Sequence, residues 1–242
     1  MDKVAILQSN YIPWKGVFDL INKVNKFVFL EDVQYTEQDW RNRNIIKTKQ
    51  GDKWIIVPVK NSNKKGQLIK DAEIDNRSNW QKKHYNAFQM NYGKANYFKK
   101  YKWILEDIYI TKQWINLSEL NMYFIKLISK ELGIKTQFIK STDLDIEGKK
   151  DDRLIDICKK LNADYYLSGP AAKNYIIPSK FQNEKIILDY IEYEYPKYNQ
   201  LHKPFNHYVT ILDLIFNCGP DAAYFIWGWR EDKGEVEYDF LQ

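Results

Sequence analysis

The chain has 242 residues, with 37 lysines and arginines against 32 acidic residues, and carries a net charge of +5. That length buries a sizeable core, as one domain or as a domain with an insertion. The charge is too mild to point to nucleic acid and suits an anionic small-molecule substrate, and no apolar run approaches the ~20 residues of a membrane span.

The first apolar run, Val4 to Leu7, has the length and β-branched content of a strand. It breaks at Gln8 to Trp14, a polar loop containing Pro13, and a helical pattern follows through Val17, Leu20, Ile21 and Val24. Because Pro13-Trp14-Lys15 closes the run so early, the opening reads as part of the fold and not as a signal peptide, and the expected location is cytoplasmic. Phe27 to Leu30 reads as a second parallel strand, with Glu31 and Asp32 at its carboxyl end. Trp54 to Val59 reads as a strand, Gln50-Gly51-Asp52 as the turn before it and Asn44 to Thr48 as its hairpin partner. Residues 61–70 are polar and read as a loop.

Ser78-Asn79-Trp80-Gln81 has the spacing of a capping box and opens a predicted helix to about Tyr92, with Gly93 at its end. Further helices are predicted over about 96–110 and 118–132, the last ended by Gly133. The α/β rhythm then returns: a strand at Thr136 to Ile139, a helix at Asp151 to Leu161, a strand at Asp164 to Leu167, a strand at Ile186 to Ile191, and a helix at Tyr208 to Cys218 stopped by Gly219-Pro220. The two cysteines, Cys158 and Cys218, fall within apolar helical patterns and read as buried thiols. The fold expected is α/β: one Rossmann-like domain over 1–242, with a mostly parallel sheet covered on both faces and a mainly helical insertion at about 76–133.

Four stretches carry candidate chemistry. In open α/β sheets ligands bind beyond the carboxyl ends of the strands, where helix N-termini offer free N–H groups. That makes Gln8, Asn10, Tyr11, Trp14, Lys15 and Gly16 candidates, unless they merely shape the turn. Asp39 to Asn44 sets Trp40, Arg41, Asn42 and Arg43 beside Lys47, either a phosphate or carboxylate clamp or a solvated basic turn. Leu167 to Lys173 empties a strand into Ser168-Gly169, where the absence of a Cβ lets a ligand approach the backbone, and ends with Lys173, unless it is a plain strand-end turn. Lys149 to Arg153 opens a helix, with Arg153 a candidate and with Asp151 and Asp152 readable as caps. The opening loop and Ser168-Gly169 are expected to meet on one edge of the sheet. His84, His202 and His207 lack carboxylates at ligand spacing, so no metal site is expected, and dinucleotide, P-loop and α/β-hydrolase signatures are missing.

QSNYIPWKGVFDLI, FLEDVQY, WRNRNII, WIIVPV, YLSGPAAKNYI, YNQLHKPF and ILDLIFNCG together resemble the WbqC-like protein family, in order from Val4 to Gly219. The family often has Pro where this chain has Ser9. The matching segments add Gln34 and Tyr175 to the candidate substrate-binding set. Members occur in gene clusters for O-antigen and other surface polysaccharides, and the resemblance implies an aminoacyl (glycyl) or acyl transferase acting on an amino sugar or sugar nucleotide. The opening loop is also similar to the first motif of HIGH-type nucleotidyltransferases and pantothenate synthetases, which activate a carboxylate with ATP. Their histidines are replaced here by Trp14-Lys15-Gly16-Val17, with Lys15 left to supply positive charge. On this reading glycine or another acyl donor is the second substrate, ATP with Mg²⁺ is a co-substrate if ATP is the activator, no cofactor is tightly bound, and His84 or Asp32 accepts the amine proton, unless they serve only packing and capping. The other reading is a non-catalytic sugar-nucleotide-binding protein of the same pathway.

Overall fold

Alternation along the strands decides which helices cover which face of the sheet. In the computed structural model, which describes residues 1–60 and 66–231, five parallel strands form one sheet. They are β1 (Lys3–Leu7), β2 (Lys26–Phe29), β5 (Gln137–Lys140), β6 (Tyr165–Ser168) and β7 (Ile187–Tyr190). Their order is β5-β2-β1-β6-β7, with Ala5 paired to Phe27 and Val4 to Tyr166 across the two central ladders. Ala5, Phe27 and Phe29 point into the larger hydrophobic core. There they meet Phe18 and Ile21 of α1 (Lys15–Asn22), Phe124 and Ile128 of α4 (Leu117–Glu131) and Leu212 of α7 (Ile211–Cys218). Val4, Ile6 and Val28 point the other way, against Ile157 and Cys158 of α5 (Asp151–Lys160) and Phe181 of α6 (Pro178–Asn183). Both faces are thus covered, as a parallel sheet requires, and the strands read as continuous apolar runs for that reason.

The middle of the chain adds the antiparallel hairpin β3 (Arg43–Thr48) and β4 (Gly51–Ile56), then α2 (Trp80–Tyr92) and α3 (Phe98–Glu106). Phe88, Tyr92, Ile104 and Leu105 bring these helices into the larger core. A π-helical turn, Asp107–Thr111, continues α3. Among the described residues no helix is long and apolar enough to cross a membrane.

Several local expectations change. The capping box does not form. Ser78 ends a 3₁₀ turn, Asn76–Ser78, and Asn79 precedes α2 with φ +48° and no side-chain cap bond. Gln81 instead donates its amide to the carbonyl oxygens of Ile108 (3.2 Å) and Lys112 (2.8 Å), so a tertiary partner outcompetes the local one. α4 is the helix with a side-chain N-cap in this region: Asn116 Oδ1 accepts from Glu119 N–H at 3.0 Å. β4 ends at Ile56, short of the expected Val59. The expected loop at 61–70 lies in part outside the described residues, and Ile69–Asp71 within it is a 3₁₀ turn with Ile69 buried. α7 starts three residues later than the pattern suggests, because Thr210 Oγ1 accepts from Leu212 N–H and fixes the first turn there. Cys158 is buried and Cys218 half-buried, both as free thiols.

Candidate functional site

The strand order reverses direction at β1. From there the chain moves outward through β2 to β5 and then returns to place β6 on the other side, so β1 and β6 flank a topological switch point. Gln8 leaves β1 and Ser168-Gly169 leaves β6 at their carboxyl ends, and all three line a cleft of about 510 Å³. Arg41, Arg153 and Tyr175 line it as well. The sequence-derived candidates meeting there therefore come from the opening loop, the Asp39–Asn44 turn, the start of α5 and the turn after β6. Lys150, Asp151 and Tyr166 complete its polar lining. The Lys149–Arg153 run pointed to the first two, whereas Tyr166 carries no sequence signal separating it from a core tyrosine.

Two guanidinium groups dominate the cleft. Arg41 donates to Asn10 Oδ1 at 2.9 Å and lies 3.2 Å from Asp39, while Arg153 pairs with Asp32. Ser141 also donates to Asp32, at 2.5 Å. Among the described residues, Arg41 Nε and Arg153 Nε are buried without a hydrogen-bond partner. Burial pushes the Arg41 guanidinium down, and Asp39, Glu31, Tyr35 and Tyr175 hold it up. Behind it, Glu31 is buried and accepts from Ser9 N–H (2.8 Å), Ser9 Oγ–H (2.9 Å) and Ser118. Burial raises the Glu31 carboxyl, and these hydrogen bonds with the Arg41 charge oppose it. Ser9 thus spends its backbone N–H on Glu31, the bond a proline at this position lacks.

Backbone is accessible at the second strand end. Gly169 opens a 3₁₀ turn, Pro170–Asn174, and a Cβ placed on it would meet only Tyr193 Oη, at 3.8 Å. The Ser168 hydroxyl is 3.2 Å from Tyr166 Oη. Asp151 is occupied by Ile177 N–H at 3.0 Å. Among the described residues no histidine or cysteine lines the cleft. The arrangement can hold an anion between two guanidinium groups and a strand end free of side chain.

Asn10, Trp14 and Trp40 line a second cavity of about 260 Å³, together with Pro13, Asn44 and Tyr208. The remaining candidates are placed elsewhere. Tyr11 is buried, 2.8 Å from His84 Nδ1 and 2.5 Å from Tyr109 Oη, and burial pushes His84 down to about 4. Lys15 is buried 2.9 Å from His207 Nδ1, over the rings of Tyr195 and Tyr198. Gly16 packs under the Trp14 ring. Asn42 donates to the Val57 carbonyl at 3.1 Å, Arg43 lies 4.3 Å from the Trp54 ring centre, and Lys47 is buried against Asp52 (2.7 Å) and the Pro204 carbonyl (2.6 Å). Gln34 forms an exposed bridge to Leu68, and Lys173 lies 5.3 Å from the Tyr190 ring centre. Among the described residues no group of three His, Cys, Asp or Glu side chains is placed to hold a metal ion.

The sequence model of the WbqC-like protein family matches residues 8–224. A Mycobacterium tuberculosis protein with the name "Uncharacterized protein Rv1507c" is 42% identical over 227 residues, spanning 93% of this chain and 98% of that protein. No solved structure matches the chain.

Proposed function

The chain belongs to the WbqC-like protein family, and from that premise we propose that it is an acyl or aminoacyl transferase acting on an amino sugar carried by a nucleotide, in surface-polysaccharide biosynthesis. One observation carries the substrate half of the reading: Arg41 and Arg153 converge on a cleft at the switch point of the sheet with their buried Nε atoms unpartnered. A diphosphate supplies the oxygens that such groups pair with, often bidentately. Gly169 lets a phosphate or sugar oxygen approach the backbone there.

The reaction joins the sugar amine to an acyl carbon. The C–N bond forms, the bond from that carbon to its leaving group breaks, and the amine gives up a proton. Arg41 and Arg153 hold the phosphates and offset charge as it develops. Asp32 is the acid–base group of this reading, because it contacts a cleft residue, Arg153, whereas His84 and Lys15 are enclosed. The donor is glycine or another carboxylate in activated form: where ATP with Mg²⁺ activates it, the leaving group is a phosphate or a nucleotide, and where it arrives as an ester or thioester, the leaving group is the alcohol or thiol. Sugar nucleotides are made in the cytoplasm, which is where this reading places the protein.

A second reading is a sugar-nucleotide-binding protein without turnover. It is favoured by the cleft lining, which among the described residues offers no histidine, no cysteine and one carboxylate, already bonded to Ile177 N–H. Mass spectrometry of purified protein with uridine-diphosphate amino sugars and glycine, with and without ATP and Mg²⁺, separates the two. The transferase reading expects a sugar nucleotide heavier by one acyl group. Binding without that product supports the second reading, and neither binding nor product overturns both.

A further inference from the structure

The cavity beside the cleft is built differently from it. Its walls are the rings of Trp14, Trp40 and Tyr208, with Pro13 and Asn44 between them. Trp40 is 42% exposed and Tyr208 51% exposed, so large apolar rings face water with no covering element among the described residues. Each is held by a second ring: Trp40 lies against Trp54 at 5.3 Å, and Tyr208 against Trp14, itself a wall of the cavity, at 5.1 Å.

The two cavities share one loop and one hydrogen bond. Gln8 lines the cleft, and Asn10, Pro13 and Trp14 line the aromatic cavity. Arg41, in the cleft, donates to Asn10 across the divide. The loop is held in a costly shape: buried Ile12 sits at φ +37°, a region β-branched residues rarely occupy. Asn44 Nδ2 fixes it by donating to the carbonyls of Tyr11 (3.0 Å) and Ile12 (2.9 Å), and Tyr11 N–H donates to the Trp40 carbonyl at 2.8 Å. The aromatic cavity is therefore preformed next to the anion-binding cleft.

We infer that this cavity is a carbohydrate subsite, in which a pyranose ring stacks on Trp40 and Tyr208 while the phosphates of the same molecule lie in the Arg41–Arg153 cleft. The second clause rests on the proposed function; the first stands on the cavity alone. A pyranose has a face of C–H groups that packs on an aromatic ring and a rim of hydroxyls that water or a few donors satisfy. A nucleobase is instead recognised through hydrogen bonds along its edge, and the wall offers few. Asn44 has given its Nδ2 to two carbonyls, and its Oδ1 accepts from Ile45 N–H at 2.7 Å. Asn10 has committed its Oδ1 to Arg41 and retains its Nδ2 hydrogens for a ligand oxygen.

The test uses two probes on the full chain. Methyl N-acetylglucosaminide is neutral and reports on the aromatic cavity; uridine diphosphate reports on the cleft. Both are titrated by ligand-observed NMR against wild type, Trp40→Ala, Tyr208→Ala and Arg153→Ala, with thermal melts verifying folding. The glycoside should bind wild type and weaken about five- to ten-fold in each ring variant, the effect of losing one stacking partner. Uridine diphosphate should be unaffected by the ring variants and weakened by Arg153→Ala. Glycoside binding absent from wild type, or unchanged in both ring variants, overturns the subsite. So does uridine competing for the glycoside, which would make the cavity a nucleoside site. Glycoside binding lost on cue with no binding of uridine diphosphate overturns the proposed function and leaves the subsite standing.

Discussion

Arg41 and Lys15 belong to similar-looking stretches, a basic turn and a basic loop end, yet the fold surrounds them in opposite ways. Arg41 and Arg153 keep 16% and 18% of their side chains exposed and border open space. Lys15 is 2% exposed, enclosed by Tyr195, Tyr198 and His207, with Asp213 and Asp19 the nearby carboxylates that favour its charge. Burial still wins and pushes the Lys15 ammonium down to about 7. Asp213 responds in the matching sense: burial pushes it up to about 6, against hydrogen bonds from Tyr198 (2.7 Å) and Gln200 (2.9 Å). Charge near solvent is available to a ligand, whereas charge behind tyrosine rings is spent on the fold.

The sharpest way to break this contrast is to remove Asp213. Asp213→Ala leaves the buried Tyr198 O–H without its acceptor, removes one of the three acceptors of the Gln200 amide and takes a balancing charge from Lys15, so urea unfolding should show a loss of about 3–5 kcal/mol. A loss below about 1 kcal/mol would mean that the buried cluster is as loosely coupled as a surface pair.

Next in size is a pH effect. The Lys15 value in the folded chain, about 7, lies below its ordinary 10.5. Between those values the unfolded chain keeps a proton that the folded chain has lost, so this group makes stability rise with pH across that window. Asp213 acts in a lower window: its folded value of about 6 exceeds 3.8, so its contribution is full below the lower value and is lost as pH rises through the upper one. Lys15→Met keeps most of the volume and removes the charge. Its stability should exceed that of wild type at pH 7, and the difference should shrink as pH rises toward 9.5. A constant difference across that range would place the Lys15 effect in packing.

The cleft side of the comparison predicts a loss of affinity instead of stability. Arg41→Ala should weaken uridine diphosphate by about 1.5–3 kcal/mol, the value of a charge-assisted hydrogen bond. Arg43→Ala should leave that affinity alone, because its guanidinium lies over Trp54 and outside the cleft. Isothermal titration at two salt concentrations reads both. Equal losses in the two variants would show that the turn acts through general charge and not through the geometry of Arg41.

Sequence pattern carried the sheet further than it carried the polar residues. β1, β2 and β6 are short apolar runs flanked by turn signals, and local pattern is enough to find them. The meeting of Gln8 and Ser168 at one cleft follows from the general rule that ligand loops gather at carboxyl strand ends, whereas the strand order that sets β1 beside β6 is seen only in the folded chain. The environments of Lys15 and Tyr208 were hidden because they depend on contacts far apart in the chain. The His207 partner of Lys15 lies 192 positions away, and Tyr208 joins the aromatic cavity from a stretch whose pattern suggested only the start of a helix. The Ser78–Gln81 spacing misled for the same reason, since Gln81 is claimed by carbonyls that close around it only when α2 packs.

The smallest difference worth measuring uses one substitution in both regions. Gly16 and Gly169 each precede or join a turn of helix, and alanine is conformationally acceptable at both, since neither glycine has positive φ. At Gly16 a Cβ would come within 2.3–2.7 Å of the Trp14 ring, and that ring is hemmed by Tyr193, Tyr195 and Tyr208. Overpacking there costs about 1–3 kcal/mol, set against up to ~1 kcal/mol gained in helix propensity. Gly16→Ala should therefore lower the melting temperature modestly and shift the Trp14 fluorescence, because the ring must move. At Gly169 the nearest atom to an added Cβ is Tyr193 Oη at 3.8 Å, ordinary contact distance. Gly169→Ala should leave the melting temperature within error and weaken uridine diphosphate, since the methyl group takes space at the cleft wall; Gly169→Val should weaken it more. If both alanine variants changed stability alike and neither changed affinity, the strand end at Gly169 would be one more packed turn, and the distinction between an enclosed and an open side of the opening loop would fail there.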